Sequence, residues 1–123
     1  MSSTFVDTSG WFAISVPADP DHERASNWFS LNQSELIVTD FIIDELLTLL
    51  RYRNEHACAL EIGTNLLSGS LATVEWVTPA DFHEAWRVFA EFIDKGWSFT
   101  DCVSRTVMSR LAITQALAFD QHF

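Results

Sequence analysis

Residues 35–50 read ELIVTDFIIDELLTLL, and the change of period in the middle of this stretch decides the fold. "ELIVT" is a compact apolar run without alternation, the pattern of a strand buried on both faces. From Asp40 the spacing becomes helical: Ile42, Leu46, Leu49 and Leu50 share one face, and Arg51 and Arg53 follow where the macrodipole favours cations. A buried strand running directly into an amphipathic helix is the unit from which a parallel α/β sheet is built.

The same alternation extends in both directions. Towards the N-terminus, residues 4–6 are β-prone and end in Asp7, Thr8, Ser9 and Gly10, which predicts a strand followed by a turn. The apolar residues 11–16 come next, and "PADPDHERASNWFSLN" starts a helix at its second proline, with Ala25, Trp28 and Phe29 on one side. Towards the C-terminus, Asn54 is placed to cap a helix carrying Ala57, Leu60, Leu67 and Leu71, and "ATVEWV" alternates as a strand. In "TPAD", Thr78 is the N-cap, Pro79 the first helical residue and Asp81 the first-turn acid. The spacing predicts that this helix buries Phe82, Ala85, Trp86, Phe89 and Ile93 and stops at Gly96. A further helix near Asp101 shows Val103, Val107, Met108 and Leu111, and "ALAF" is a short strand ending at Asp120. The expectation is a single α/β domain over residues 1–123, a three-layer α/β/α arrangement whose short parallel central sheet has helices on both faces.

Composition narrows the classes of function. With ten Phe and five Trp in 123 residues, and 48% hydrophobic residues overall, the chain has the means to bury a core. Seven basic residues against 17 acidic ones give a net charge of −10, which excludes nucleic-acid binding by bulk charge; a nucleic-acid substrate must be met locally. Cys58 and Cys102 form no CxxC pair and read as reduced core thiols. The opening "MSSTFVDTSG" has neither a basic region nor a long apolar run, and no later stretch reaches the length of a membrane span, so a cytoplasmic protein without membrane contact is expected. There is no GxGxxG, GxxxxGK[ST] or GxSxG motif, and His22, His56, His83 and His122 are scattered without zinc-ligand spacing.

Four carboxylates remain. In an open parallel sheet the ligand crevice lies beyond the carboxyl ends of the strands, where Asp7 and Asp120 would both emerge. Asp101 falls at a helix N-terminus, and Glu45 one turn inside the helix after the second strand. Taken singly, Asp7 and Asp120 read as turn formers, Asp101 as a cap and Glu45 as a solvated helix face. Taken together they would repel one another unless a cation joined them, and a hard divalent ion, Mg2+ or Mn2+, suits oxygen ligands. Such a centre activates water for in-line attack on a phosphate. Thr8 and Ser9 have hydroxyls placed to hold Asp7 or a metal-bound water, and Arg105, four residues after Asp101, reads as a helical ion pair or a phosphate clamp. A strand ending in Asp also opens the haloacid-dehalogenase-like phosphatases, but Ser9 stands where that family wants a second acid, and Lys95 is the only lysine.

Three segments carry a resemblance to a known family. "FVDTSGWFAI" resembles the opening strand and turn of the PIN-domain nucleases, "IVTDFIIDELLTLL" their acid-bearing helix, and "SFTDCVSRTVMSRLAITQALAFDQHF" their closing half. The likeness is greatest to the VapC-type toxins of bacterial toxin-antitoxin pairs. It implies that Asp7, Glu45, Asp101 and Asp120 form the catalytic, metal-binding quartet, with Ser9 as a supporting hydroxyl. Asp44 is excluded from this set because one residue along a helix turns the side chain by about 100°. It further implies Mg2+ or Mn2+ as cofactor, RNA as substrate, a homodimer, and inhibition by a co-encoded antitoxin. A PIN-domain RNase that is not a toxin and a catalytically silent PIN fold used for binding are the alternatives.

Overall fold

The computed structural model describes residues 2–119. In chain order they form β1 (Ser3–Val6), α1 (Thr8–Ser15), α2 (His22–Leu31), β2 (Glu35–Thr39), α3 (Asp40–Tyr52), α4 (His56–Leu67), β3 (Thr73–Glu75) and α5 (Pro79–Glu91). A short 3-10 turn (Ile93–Lys95), α6 (Phe99–Arg110) and β4 (Gln115–Leu117) complete them. The four strands pair in the order β3-β2-β1-β4, all parallel, with Phe5 opposite Ile37 on one side and Ala116 on the other. Because β1, β2 and β3 progress outward in one direction and β4 returns to the far side of β1, the order reverses beside β1. Ligand crevices form at such a reversal.

The expected α/β/α arrangement is the one observed, and the core explains it. Phe5, Val6, Ile37 and Val38 from the two central strands are buried with Trp11, Ile42, Leu46, Leu50 and Leu66 from the helices. A smaller cluster, Ala85, Cys102, Val103 and Val107, joins α5 to α6. That joint is reinforced by Arg110, whose Nε and Nη2 donate to the two oxygens of Asp81 at 2.8 Å each, while Nη1 donates to Glu75 on β3 at 3.0 Å. Asp81 also closes the capping box of α5 with Thr78. The Arg110 guanidinium holds the Asp81 carboxyl below the usual carboxylate range, although burial opposes the shift.

Several expectations are corrected. Asp7, Thr8, Ser9 and Gly10 do not form a turn: Asp7 is the N-cap of α1, and the next three residues are its first turn. Asn54 takes a left-handed backbone (φ 60°) and α4 begins after Glu55 instead, on a face that buries Ala59, Ile62, Gly63 and Leu66 while Leu60 and Leu67 are exposed. Helix α5, expected to run to Gly96, ends at Glu91, with Ile93 in the 3-10 turn that Gly96 closes, and only Ala85 of the five expected residues is buried; Trp86 is 58% and Ile93 85% exposed, and Phe82 and Phe89 also reach solvent. The helix packs on α6 through Asp81, Ala85 and Val88, one row around from the aromatic side chains. Those rings lie mainly against each other, as in Phe82 and Phe99 at 5.0 Å between centroids. Among the described residues, no helix is long and apolar enough to cross a membrane.

Candidate active site

The carboxyl end of β1 delivers Asp7 to the crevice, and its backbone is pinned there. Asp7 N–H donates to Leu117 O of β4 at 3.2 Å, and the side chain, 5% exposed, caps α1. Its Oδ1 accepts from Gly10 N–H at 3.0 Å and from the Ser9 hydroxyl at 2.7 Å. Ser9 Oγ also accepts from Phe119 N–H at 2.8 Å, so one hydroxyl joins the first acid to the backbone just beyond β4. Gly10 permits this closeness: a Cβ there would sit 2.8 Å from Leu117 O and 2.9 Å from Val6 Cγ1.

Glu45 approaches from α3. Its Oε1 accepts a hydrogen bond from the Thr8 hydroxyl, so Thr8 serves Glu45 and not Asp7, which corrects the first expectation for this hydroxyl. Asp44, beside it, is exposed, as the helical geometry required. Asp101 approaches from α6 as the third residue of its capping box: Ser98 N–H donates to Asp101 Oδ2, and Asp101 N–H to Ser98 Oγ, both at 3.0 Å. The helix start places amide dipoles that favour an anion at Asp101, as α1 does at Asp7. Burial pushes the thiol of the adjacent Cys102 up, and the negative charge of Asp101 adds to the effect. The thiol is therefore neutral and inert, as expected of a core cysteine.

Asp7, Glu45 and Asp101 line one cavity of about 490 Å³, together with Thr8, Ser9, Leu49, Gly96 and Ser98. Asp120 lies outside the described residues. Among the described residues no three acidic, His or Cys side chains are drawn close enough to grip one ion directly. The three acids thus share one cavity without closing on a single point. Arg105 lies with its guanidinium 4.0 Å above the Trp97 ring. Of the histidines, His22 is occupied structurally, its Nδ1 2.7 Å from Ala13 O.

The PIN-domain profile matches residues 4–123. This chain belongs to the PIN-domain family. Membership removes the haloacid-dehalogenase alternative and accounts for a parallel sheet that gathers acids at the carboxyl edge of β1. Among curated PIN-type relatives, VapC20 from two strains of Mycobacterium tuberculosis, named a 23S rRNA-specific endonuclease, is 31% identical over 119 residues, which is 97% of this chain and 90% of the relative. A crystal structure of Mycobacterium tuberculosis VapC20, described as a sarcin-ricin loop cleaving toxin, superposes with a TM-score of 0.90 at 29% identity, covering 98% of this chain and 91% of that one.

The partner of one hydroxyl and the role of one glycine at this cavity escaped the sequence. Nothing local distinguishes the partner of the Thr8 hydroxyl, since Glu45 is 37 residues away. Gly10 carried a usable signal: glycine inside a helix is costly unless the backbone must approach something closely.

Proposed function

We propose that this protein is an RNA-cleaving endonuclease of the VapC toxin type that works with a divalent cation, Mg2+ or Mn2+. The observation that carries the reading is the meeting of Asp7, Glu45 and Asp101 on one cavity at the reversal of strand order. The all-oxygen donor set of the lining acids fits a hard cation such as Mg2+, which keeps several waters and takes one or two carboxylates directly. Asp120 is the proposed fourth acid; it follows Phe119, whose amide Ser9 holds. The family resemblance to VapC20 supports RNA as substrate, with 23S rRNA the first to test, and an antitoxin as partner. A homodimer and a cytoplasmic location belong to the same proposal.

In this reading Asp7, Glu45 and Asp101 would hold the ion in part through its waters, and Thr8, Ser9 and Gly10 keep the first two of these acids in place. When bound, the ion stabilises charge on the scissile phosphate and makes water nucleophilic at neutral pH. Gly96 and Ser98 line the same cavity as Asp101. The test is cleavage of total ribosomal RNA and of a sarcin-ricin stem-loop by purified protein. Asp7→Asn and Asp101→Asn should each lower the rate at least about a hundredfold with circular dichroism unchanged, as for loss of a group acting on the transition state. A folded Asp7→Asn protein that cuts at the wild-type rate would remove Asp7 from the site. Wild-type protein that cuts no RNA would favour a silent, binding PIN fold.

A further inference from the structure

We propose that Thr8 is a positioning residue for Glu45, its hydroxyl setting the glutamate over the cavity before any cation arrives; the inference rests on the metal-site reading above. Glu45 reaches the cavity on a long side chain from α3, and its carboxylate shares that cavity with Asp7 and Asp101. Like charges push it outward, and its rotamer freedom favours many positions over one. The opposing force is a single bond: among the described residues, the Thr8 hydroxyl is the hydrogen-bond partner of the Glu45 carboxylate.

The choice of donor matters. An Arg or Lys in this place would orient the carboxylate but also cancel the charge that a cation needs, whereas a neutral hydroxyl orients it and leaves the charge. Thr8 is only 8% exposed, which limits competition from water, and its β-branch restricts χ1. The adjacent hydroxyl, Ser9, is already committed to Asp7 and Phe119 and does not duplicate the role. The pair thus divides its work, one hydroxyl to each acid.

The test compares Thr8→Val, which keeps the shape and removes the donor, with Thr8→Ser, which keeps the donor; Thr8→Ala stands in should Thr8→Val fail to fold. The first readout needs no metal: three-bond couplings about χ1 and χ2 of Glu45, measured by NMR. They should report one rotamer in wild type and Thr8→Ser, and averaging in Thr8→Val. The second is Mn2+ titration followed by electron paramagnetic resonance, where Thr8→Val should weaken binding about tenfold and Thr8→Ser by no more than about twofold, as for loss or retention of a hydrogen bond behind a metal ligand. Glu45 equally ordered in Thr8→Val and wild type would overturn the proposal, as would Thr8→Ser behaving like Thr8→Val. Wild-type protein that binds no Mn2+ would instead strike the metal-site reading, and the couplings would still decide the role of Thr8.

Discussion

Gly10 is the residue on which the site's close construction depends most directly. The Asp7, Ser9 and Phe119 contacts bring α1 against the end of β4 so tightly that a methyl group at position 10 would press on Leu117 O and Val6 Cγ1, and one of these is backbone that cannot swing aside. Gly10→Ala should therefore destabilise the fold by about 1–3 kcal/mol, the usual cost of overpacking, despite alanine's better helix propensity. Urea denaturation checks this, and an Ala variant as stable as wild type would mean that β4 moves away without loss. At this scale the sequence was partly legible. Asp7 and Asp101 stood out as carboxylates after a strand and at a helix start, which a parallel topology brings to one edge, whereas Glu45, inside α3, was set apart from Asp44 by the resemblance to the PIN family. The hydroxyl partners could not be picked out, because a donor's choice between two acids is settled by tenths of an ångström in three dimensions.

Among the elements, α5 is held to α6 and β3 by a half-buried charge pair whose contribution follows pH. Arg110 lowers the Asp81 pKa, so the pair's stabilisation is fully present above the ordinary carboxylate range and is lost as pH falls through the lowered value. Asp81→Asn should cost about 2 kcal/mol at neutral pH, discounted from the roughly 3–5 kcal/mol of a fully buried pair because Arg110 is 36% exposed. The difference between variant and wild type should stay constant from neutral pH down to about pH 5 and shrink below about pH 4. A difference that persists unchanged at pH 2 would assign the effect to the capping box instead. The start of α5 was readable from Thr78, Pro79 and Asp81 because caps are local chemistry. Its buried face was not: Phe82, Trp86, Phe89 and Ile93 recur at helical spacing, but spacing marks an apolar side without saying which neighbour covers it. The same limit misplaced the face of α4, where small Ala59 and Gly63 allow close packing that larger residues would prevent.

For the molecule as a whole, a net charge of −10 and three acids around one cavity make the balance of charge the central issue. A cation that joins the acids binds the folded state alone, so millimolar Mg2+ or Mn2+ should raise the melting temperature, with about 2.7 kcal/mol of stabilisation at a hundredfold excess over Kd. The rise should disappear in Asp101→Asn, and Ca2+-free, Mg2+-free protein with an unchanged melting point after metal addition would weigh against the site. Topology was the most legible level of all, since uninterrupted apolar strands alternating with amphipathic helices admit few arrangements other than a parallel sheet covered on both faces. The account stands most squarely on how RNA is cut. In the proposed reading Asp7, Glu45 and Asp101 would hold a divalent ion that supplies an activated water, so that the 3′-oxygen would be the leaving group, whereas a histidine ribonuclease recruits the neighbouring 2′-hydroxyl. Mapping the ends of a cleaved RNA by ligation and mass spectrometry, with Asp101→Asn protein as the control for contaminating nucleases, separates the two. Products bearing 5′-phosphate and 3′-hydroxyl ends, formed by wild type and absent with the variant, are the predicted result; 2′,3′-cyclic phosphate ends that appear with wild type and vanish with the variant would contradict it.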